Sequence, residues 1–315
     1  MNVAPQKQKL IRFFRGAALV AGIAFIGWLI TDFFYGRHES LKKIDGMGIA
    51  ASILVGWITT VATAQIFVVL VKKHVPQASA PAVLSGFYYS QIAKYIPGRA
   101  AALLVQRSFL KGPGATGAVL LANIEITAIT ALSAAAAAVS FLLVTSAPVG
   151  SLFLVVAAVS VAAYLIRHRW LSRAARIVPI LRKFFEAETG EPNGASATQS
   201  LLLGAGILIL PAAMTWTIVY FGLHFGGPTS LSISSSLLIS WIGALVIFIF
   251  PAGIGVREFL FLGIGNLLDH SIGTQTLAEI AVVTRFVQVA VDVSSVIVFA
   301  IAAHLWGNKI ARDTN

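Results

Sequence analysis

Long apolar runs separated by short polar segments dominate the chain and determine its predicted secondary structure. A helix needs about 20 mostly apolar residues to cross a bilayer. Six runs approach or exceed that length, and two further segments are apolar but interrupted by proline, glycine and charge. The pattern therefore predicts an all-α polytopic integral membrane protein with about six full spans. The runs are 16–35, 46–71, 116–145, 150–166, 200–223 and 277–304, and the interrupted segments are 81–97 and 230–268.

The composition supports this assignment. Hydrophobic residues make up 57% of the 315 residues and charged residues only 11%, with a mean hydropathy of +0.86. Soluble domains carry about 25% charged residues. An exterior that faces lipid has to be apolar, so the low charge fraction indicates that lipid is the main solvent. We expect one membrane-embedded domain over 1–315.

The basic residues follow the distribution that orients membrane proteins, in which cytoplasmic loops carry an excess of Lys and Arg. With the N-terminus inside, the predicted inner segments hold 17 basic residues and the outer ones 3. Both termini are therefore predicted to be cytoplasmic, with 167–199 as a basic cytoplasmic loop. The inner segments are 1–15, 72–80, 99–113, 167–199 and 305–315, and the outer segments are 36–45, 146–149, 224–229 and 269–275.

The net charge of +11 lies in these loops, so it indicates anionic lipid headgroups as partners and not nucleic acid. Because the chain has no cysteine, disulfides and thiolate metal sites are excluded. The six histidines are scattered without a metal-ligand spacing, so no metal or other cofactor is expected. No small-residue cleavage site follows 16–35, which is therefore predicted to be a retained helix and not a signal peptide.

The charge distribution also constrains the two interrupted segments. The predicted inner segments on either side of 81–98 place both of its ends in the cytoplasm. The predicted outer segments on either side of 230–268 place both of its ends outside. Two re-entrant hairpins of opposite orientation would follow, the pattern of an inverted repeat whose broken helices meet near the bilayer midplane. The alternative is that one or both segments span the membrane twice, giving eight or more helices.

The first interrupted segment carries polar residues on one helical face and then a helix break. Proline removes a backbone donor, and glycine permits a positive φ. One interpretation is a polar loop at the membrane surface with its lysine reaching for water. The other is a break that exposes cations and backbone groups to an anionic headgroup. The face consists of Tyr88, Gln91 and Tyr95 with Lys94 at its edge, and the break consists of Pro97, Gly98 and Arg99.

The second interrupted segment places a charged pair beside helix-breaking residues. The string runs from Pro251 through Gly253 and Gly255 to Arg257 and Glu258. A charge at the bilayer centre costs at least ~2.5–3.5 kcal/mol, so the pair is expected to face protein or a water-filled cavity. Adjacent residues on a helix do not face each other, and each therefore needs a partner elsewhere. The alternative is simple neutralisation by other helices without a role in a site.

Three further charged residues inside the predicted spans are candidates for the site. Arg285 and Asp292 stand seven positions apart with Gln288 between them, so all three share one helical face, expected to turn toward the bundle interior. Glu125 lies in an earlier span, and a pair with Arg257 or Arg285 is plausible. Interior packing by ion pairs, with no role in a site, is the alternative.

Together these elements resemble the transmembrane, flippase-like region of the lysylphosphatidylglycerol synthase family over essentially the whole chain. The most specific element is the string from Pro251 to Glu258, and one departure is Ala252, where the family often has a further glycine. The soluble aminoacyl transferase domain is expected to be missing, as in stand-alone members. The four elements are Tyr95-Ile-Pro-Gly-Arg99, Glu125, the string Pro251–Glu258, and Arg285 with Asp292.

The resemblance implies movement of an anionic lipid, or a lipid-linked intermediate, between leaflets of a bacterial or archaeal cytoplasmic membrane. The resemblance implies that the headgroup phosphate contacts four cations, which are Lys94, Arg99, Arg257 and Arg285. It also implies that Glu125 and Glu258 hold these cations in place or carry a coupling proton. No nucleotide-binding loop is present, so ATP is not expected to drive the movement. The alternatives are a non-transporting partner of a lipid- or glycan-modifying enzyme, and a membrane enzyme. The predicted substrate-binding residues are Lys94, Arg99, Glu125, Arg257, Glu258, Arg285, Asp292, Tyr88, Gln91 and Tyr95.

Overall fold

A computed structural model describes residues 44–95, 100–112, 114–143, 212–246, 256–269 and 271–313. Regular secondary structure within these ranges is entirely helical. The predicted spans 16–35 and 150–166 and the loop 167–199 lie outside them. The helices are α1 (Gly46–His74), α2 (Ala80–Ala93), α3 (Ala100–Ser108), α4 (Ala115–Leu143), a π-helical turn (Ile218–Gly222), α5 (Gly227–Val246), α6 (Val256–Leu268) and α7 (Thr274–Asp313).

Four helices in the described part of the chain are long and apolar enough to cross a membrane, which confirms a helical, multi-pass membrane protein. Three of them, α1, α4 and α7, correspond to uninterrupted runs predicted from the sequence. The fourth, α5, is the first half of the interrupted segment 230–268. The stretches that qualify are Gly46–His74, Ala115–Leu142, Gly227–Leu245 and Thr274–Leu305.

Helix α1 is bounded by residues suited to its two ends. The Asp45 carboxylate caps its start by accepting hydrogen bonds from the backbone N–H groups of Met47 and Gly48, at 3.0 and 3.3 Å. Two lysines and a histidine occupy its last turn, where cations interact favourably with the helix dipole. These lysines are the ones assigned to the predicted cytoplasmic segment 72–80.

The start of α1 crosses the π-helical turn at very close range. A Cβ atom on Gly48 would lie 2.5 Å from the backbone carbonyl of Phe221. Only a residue without a side chain therefore fits at this position. The crossing fixes the N-terminal end of α1 against the end of the predicted span 200–223, which is described from residue 212 onward.

The first helix pair, α2 and α3, packs antiparallel. Helix α2 comes from the first interrupted segment, 81–97, whereas α3 lies within 99–113, which the sequence predicts to be a cytoplasmic segment. Gly86 on α2 packs directly against the backbone of Gln106 on α3, where a Cβ atom would lie 3.0 Å from the carbonyl oxygen. The Gln106 amide donates to the Ser90 hydroxyl at 3.0 Å. Helix α2 ends at Ala93, close to the predicted break.

The second helix pair, α5 and α6, forms from the second interrupted segment, and residues 247–255 between them lie outside the described ranges. Leu260 of α6 packs against Gly243 of α5, where a Cβ atom would approach its side chain to 2.7 Å. Phe261 is fully buried in a cluster with Ile233 and Leu237 of α5. The two helices therefore run back along each other, as α2 and α3 do.

The open ends of the two helix pairs pack at opposite ends of the bundle. The start of α2 belongs to an apolar cluster that includes the last turns of α1, the start of α4 and Val296 of α7. The start of α5 belongs to a different cluster, which includes Leu277 near the start of α7. Helix α1 lies parallel to α7, and the Trp57 indole donates to the Ser294 hydroxyl at 2.8 Å.

Candidate functional site

The centre of the site is a polar face in the middle of α7. Arg285 and Asp292 are only 7% and 5% exposed, although they lie within the apolar stretch Thr274–Leu305. They lie 11 residues after its start and 13 before its end respectively, so they straddle its midpoint. Gln288 stands between them. The prediction that these three residues share a face turned into the bundle is confirmed by the contacts that follow.

Asp292 holds the end of the first helix pair. The Tyr95 hydroxyl donates a hydrogen bond to Asp292 Oδ2 at 2.5 Å, and Lys94 Nζ lies 2.8 Å from the same oxygen. Lys94 also donates to Gln91 Oε1 at 3.1 Å. Because Lys94 is the C-cap of α2, these contacts fix the point at which α2 ends against the middle of α7.

The other two residues of this face hold the beginning of α6. Arg285 Nε lies 2.6 Å from Glu258 Oε1, and Arg257 Nη1 donates to Gln288 Oε1 at 2.8 Å. Glu258 lies in the first turn of α6, where a carboxylate is favoured by the helix dipole. The prediction that Arg257 and Glu258 each find a partner on another helix is confirmed.

These contacts form three neighbouring groups, one around Asp292, one of Glu258 with Arg285 and one of Arg257 with Gln288. Together they are called the charged network, defined as Gln91, Lys94, Tyr95, Arg257, Glu258, Arg285, Gln288 and Asp292. It contains three cations and two carboxylates, so its net charge is +1. Lys94 and Arg285 each form an ion pair, with Asp292 and Glu258 respectively, whereas the hydrogen-bond partner of Arg257 within the described residues is a neutral amide. Arg257 also experiences repulsion from Arg285 and attraction to Glu258. The network is therefore suited to an additional anion beside Arg257.

A cavity of about 140 Å³, the central cavity, adjoins the network at Arg257 and Gln288. Residues from α1, α4, α5, α6 and α7 and from the segment before the π-helical turn line it, so it lies in the interior of the bundle. Four of the lining residues are threonines. The lining residues are Thr59, Thr130, Ala134, Met214, Thr215, Ile218, Leu237, Leu238, Trp241, Arg257, Thr284 and Gln288.

Some predicted site residues lie apart from the network or outside the described ranges. Tyr88 belongs to the apolar cluster around α1 and stacks on Phe299 with ring centroids 4.4 Å apart. Glu125 is half-buried on α4, and its pairing stays a prediction. The residues outside the described ranges are Pro97, Gly98, Arg99, Pro251, Gly253 and Gly255.

The cavity threonines and Trp241 were not predicted from the sequence. Thr59, Thr130 and Thr284 lie on three different helices, so no spacing along the chain connects them. A threonine within an apolar span commonly bonds back to its own helix, so its presence does not by itself indicate a site. Their common feature is a shared cavity, which only the packing of the helices creates.

Within the described residues, no group of three or more His, Cys, Asp or Glu side chains is arranged to hold a metal ion. The site consists of the net positive charged network and the partly polar central cavity. Comparison with protein-family models, with curated proteins and with solved structures found no match.

Proposed function

We propose that this protein moves an anionic lipid, or a lipid-linked intermediate, between membrane leaflets without direct use of ATP. The observation that carries the proposal is the position of Arg257. This cation lies in the first turn of α6 and belongs to a net positive network that meets the middle of the apolar helix α7. It bonds to a neutral amide and lines the central cavity. The resemblance to the transmembrane region of the lysylphosphatidylglycerol synthase family supports the same function.

The energetics of headgroup transfer explain the need for such a site. A phosphate that crosses the hydrocarbon core loses its hydration, and an unpaired charge there is very costly. Cations and hydroxyls in a protein cavity replace the lost water while the hydrocarbon tails remain in lipid. Arginine is suited to this task because its planar guanidinium donates two parallel hydrogen bonds to phosphate.

The proposed topology has about six full spans and two re-entrant helix pairs of opposite orientation. At about 1.5 Å per residue, the 14 residues of α2 and the 13 of α6 span about 20 Å. A hydrocarbon core is about 30 Å thick, so neither helix can cross it alone. Helix α5, with 20 residues, is long enough to cross, so the re-entrant orientation of the second pair rests on the charge distribution. The packing of the two open ends at opposite ends of the bundle supports the opposite orientations. With both termini cytoplasmic, α2 and α3 enter from the inner face and α5 and α6 from the outer face.

The network supplies a route for opening the site from either side. Asp292 holds the first helix pair to α7, and Arg285 holds the second. When the contacts of Asp292 are broken, the first pair can withdraw while Glu258 and Arg285 keep the second pair closed. Breaking the contacts of Arg285 and Gln288 with α6 instead opens the opposite side. A headgroup phosphate on Arg257 lies between these two closures.

A reconstituted transport assay tests the proposal. Fluorescently labelled phosphatidylglycerol is placed in proteoliposomes, and its appearance in the outer leaflet is measured by chemical quenching. We expect movement with wild type and at least about a tenfold slower rate with Arg257→Ala, because a charge-assisted hydrogen bond contributes about 1.5–3 kcal/mol. Lys111→Ala removes an exposed cation outside the network and is expected to retain the wild-type rate.

The remaining outcomes separate the alternatives. A chemically altered headgroup at the end of the assay would indicate a membrane enzyme. Neither movement nor alteration would indicate a non-transporting partner of a lipid- or glycan-modifying enzyme. Movement that is equal in wild type and Arg257→Ala would support translocation and refute the assigned site.

A further inference from the structure

We propose that the central cavity accepts a phosphate that bears a small uncharged polyol, such as glycerol, and rejects a headgroup that ends in an ammonium group. This inference rests on the proposed function and adds the chemical class of the transported headgroup. It is carried by the hydrogen-bonding state of the cavity threonines and by the charge of the cavity wall.

The cavity threonines present hydrogen-bond acceptors. Thr59, Thr130 and Thr284 each donate their hydroxyl proton to a backbone carbonyl of their own helix, at 2.8, 2.7 and 3.0 Å. A threonine hydroxyl has one donor and two acceptor lone pairs. With the proton used within the helix, the oxygen is left to accept. A ligand that fits these oxygens must bring O–H or N–H donors.

The protein offers hydrogen-bond donors to a ligand at one position in the cavity wall, beside Arg257 and Gln288. Arg257 and Gln288 both line the cavity, and one guanidinium N–H is used in the bond between them. A guanidinium carries five N–H donors and an amide nitrogen two. The phosphate therefore belongs beside this pair, and the rest of the headgroup extends toward the threonines.

The charge of the wall distinguishes a polyol from an ammonium group. Among the described residues that line the cavity, Arg257 is charged and no carboxylate is present. The nearby carboxylate of Glu258 is directed to Arg285 at 2.6 Å. With the phosphate paired to Arg257, a second positive charge on an ammonium group would find no carboxylate among these lining residues, whereas a neutral hydroxyl group needs none.

The size of the cavity is compatible with a small headgroup. Its volume of about 140 Å³ holds several water molecules, and therefore a phosphate with a short polyol. The indole of Trp241 and the side chains of Leu237 and Leu238 provide apolar wall for the carbon skeleton.

Lipid binding to the purified protein in detergent tests the inference independently of transport. The probes are short-chain dioctanoyl phosphatidylglycerol, phosphatidylethanolamine and phosphatidic acid, titrated calorimetrically. We expect phosphatidylglycerol to bind at least about tenfold more tightly than phosphatidylethanolamine. Thr130→Val and Thr284→Val should each weaken the binding of phosphatidylglycerol about three- to tenfold and that of phosphatidic acid less than twofold.

Thr63→Val is the matched control, because Thr63 also donates to its own helix, at 2.8 Å, but does not line the cavity. Equal or tighter binding of phosphatidylethanolamine, equal weakening of both anionic lipids by the threonine variants, or no binding of any probe would overturn the inference. If phosphatidylglycerol binds as expected but proteoliposomes do not move it, the proposed function fails and the cavity assignment stands. If proteoliposomes move phosphatidylglycerol and phosphatidylethanolamine equally fast, the proposed translocation stands and the inference about the headgroup fails.

Discussion

Tyr95 donates a hydrogen bond of 2.5 Å to Asp292, although 197 positions separate the two residues along the chain. Both side chains are about 5% exposed. The bond fixes the end of the short helix α2 to the middle of the long helix α7, where both side chains are shielded from solvent. A hydrogen bond to a charged acceptor contributes more to stability than one between neutral groups.

Replacing Tyr95 by phenylalanine is expected to lower the free energy of unfolding by about 1.5–3 kcal/mol, because a buried carboxylate loses a donor. Tyr89→Phe is the matched control, since Tyr89 is 41% exposed and stacks on Phe109; we expect its effect to stay within about 0.5 kcal/mol. Denaturant titration in detergent measures both. Equal effects of the two changes would contradict the importance assigned to the Asp292 contact.

Glu258 and Arg285 are expected to be energetically coupled. In Glu258→Gln, the Arg285 side chain, which is 9% exposed, keeps its charge without this carboxylate. Breaking a buried pair costs about 3–5 kcal/mol, and because Glu258 is 28% exposed we expect about 2–3 kcal/mol. The double variant with Arg285→Gln should cost at least about 1 kcal/mol less than the sum of the single variants. Additive effects in this cycle would show that the two side chains do not interact.

Substitution of Glu279, unlike that of Glu258, is not expected to reduce the stability of the protein. It is 6% exposed, and its Oε2 atom has no hydrogen-bond partner within the described residues, while Oε1 accepts only a 3.4 Å bond from Gln275. A buried carboxyl group without full hydrogen bonding is costly. Glu279→Gln is therefore expected to leave stability unchanged or to raise it by about 1 kcal/mol. A loss of stability as large as that of Glu258→Gln would refute this interpretation.

The close crossing at Gly48 should be intolerant of a single methyl group. Gly48→Ala would place Cβ 2.5 Å from the backbone of Phe221, so the two segments must separate. Overpacking of this kind costs about 1–3 kcal/mol. Gly46→Ala in the same helix turn meets nothing within 4 Å, and we expect it to be neutral within about 1 kcal/mol. Thermal unfolding of the two variants provides the comparison.

Cysteine labelling tests the orientation of the two helix pairs, and the chain has no native cysteine to interfere. Cysteines introduced at Gly227 and Ser271 should react with a membrane-impermeant reagent from the outside. Cysteines at the exposed positions Ser79 and Lys111 should react only from the inside. Labelling of Gly227 and Ser271 from different sides would show that 230–268 crosses the bilayer an odd number of times, and the proposed topology would be wrong.

Much of the charged network could be predicted from the sequence, because charges in apolar spans are conspicuous and helical spacing shows which of them share a face. Arg285, Gln288 and Asp292 are an example: their i, i+3, i+7 spacing required a common face, and the fold turns it inward. The spacing could not show which partner belongs to which residue. Arg257 bonds to Gln288, and Arg285 pairs with Glu258, a choice made by the packing of α6.

The boundaries of the interrupted segments were less accessible to sequence reasoning. Segment 230–268 reads as one broken unit, yet its first part forms the 20-residue helix α5, long enough to cross a membrane by itself. Its serines weaken the hydropathy signal, although Ser234, Ser235 and Ser236 are fully buried. Polar side chains that bond within their own helix, as Ser235 does with Leu231, are compatible with a span.

The placement of Arg285 and Asp292 on one continuous helix has a thermodynamic consequence. The two residues lie seven positions, or about 10.5 Å, apart along α7, and each holds a different helix pair. A small rotation or translation of α7 therefore changes both contacts together. By linkage, a ligand whose binding shifts α7 changes the contacts of both helix pairs, and a change in either contact alters the affinity for that ligand. One continuous helix thus makes the positions of the two helix pairs interdependent.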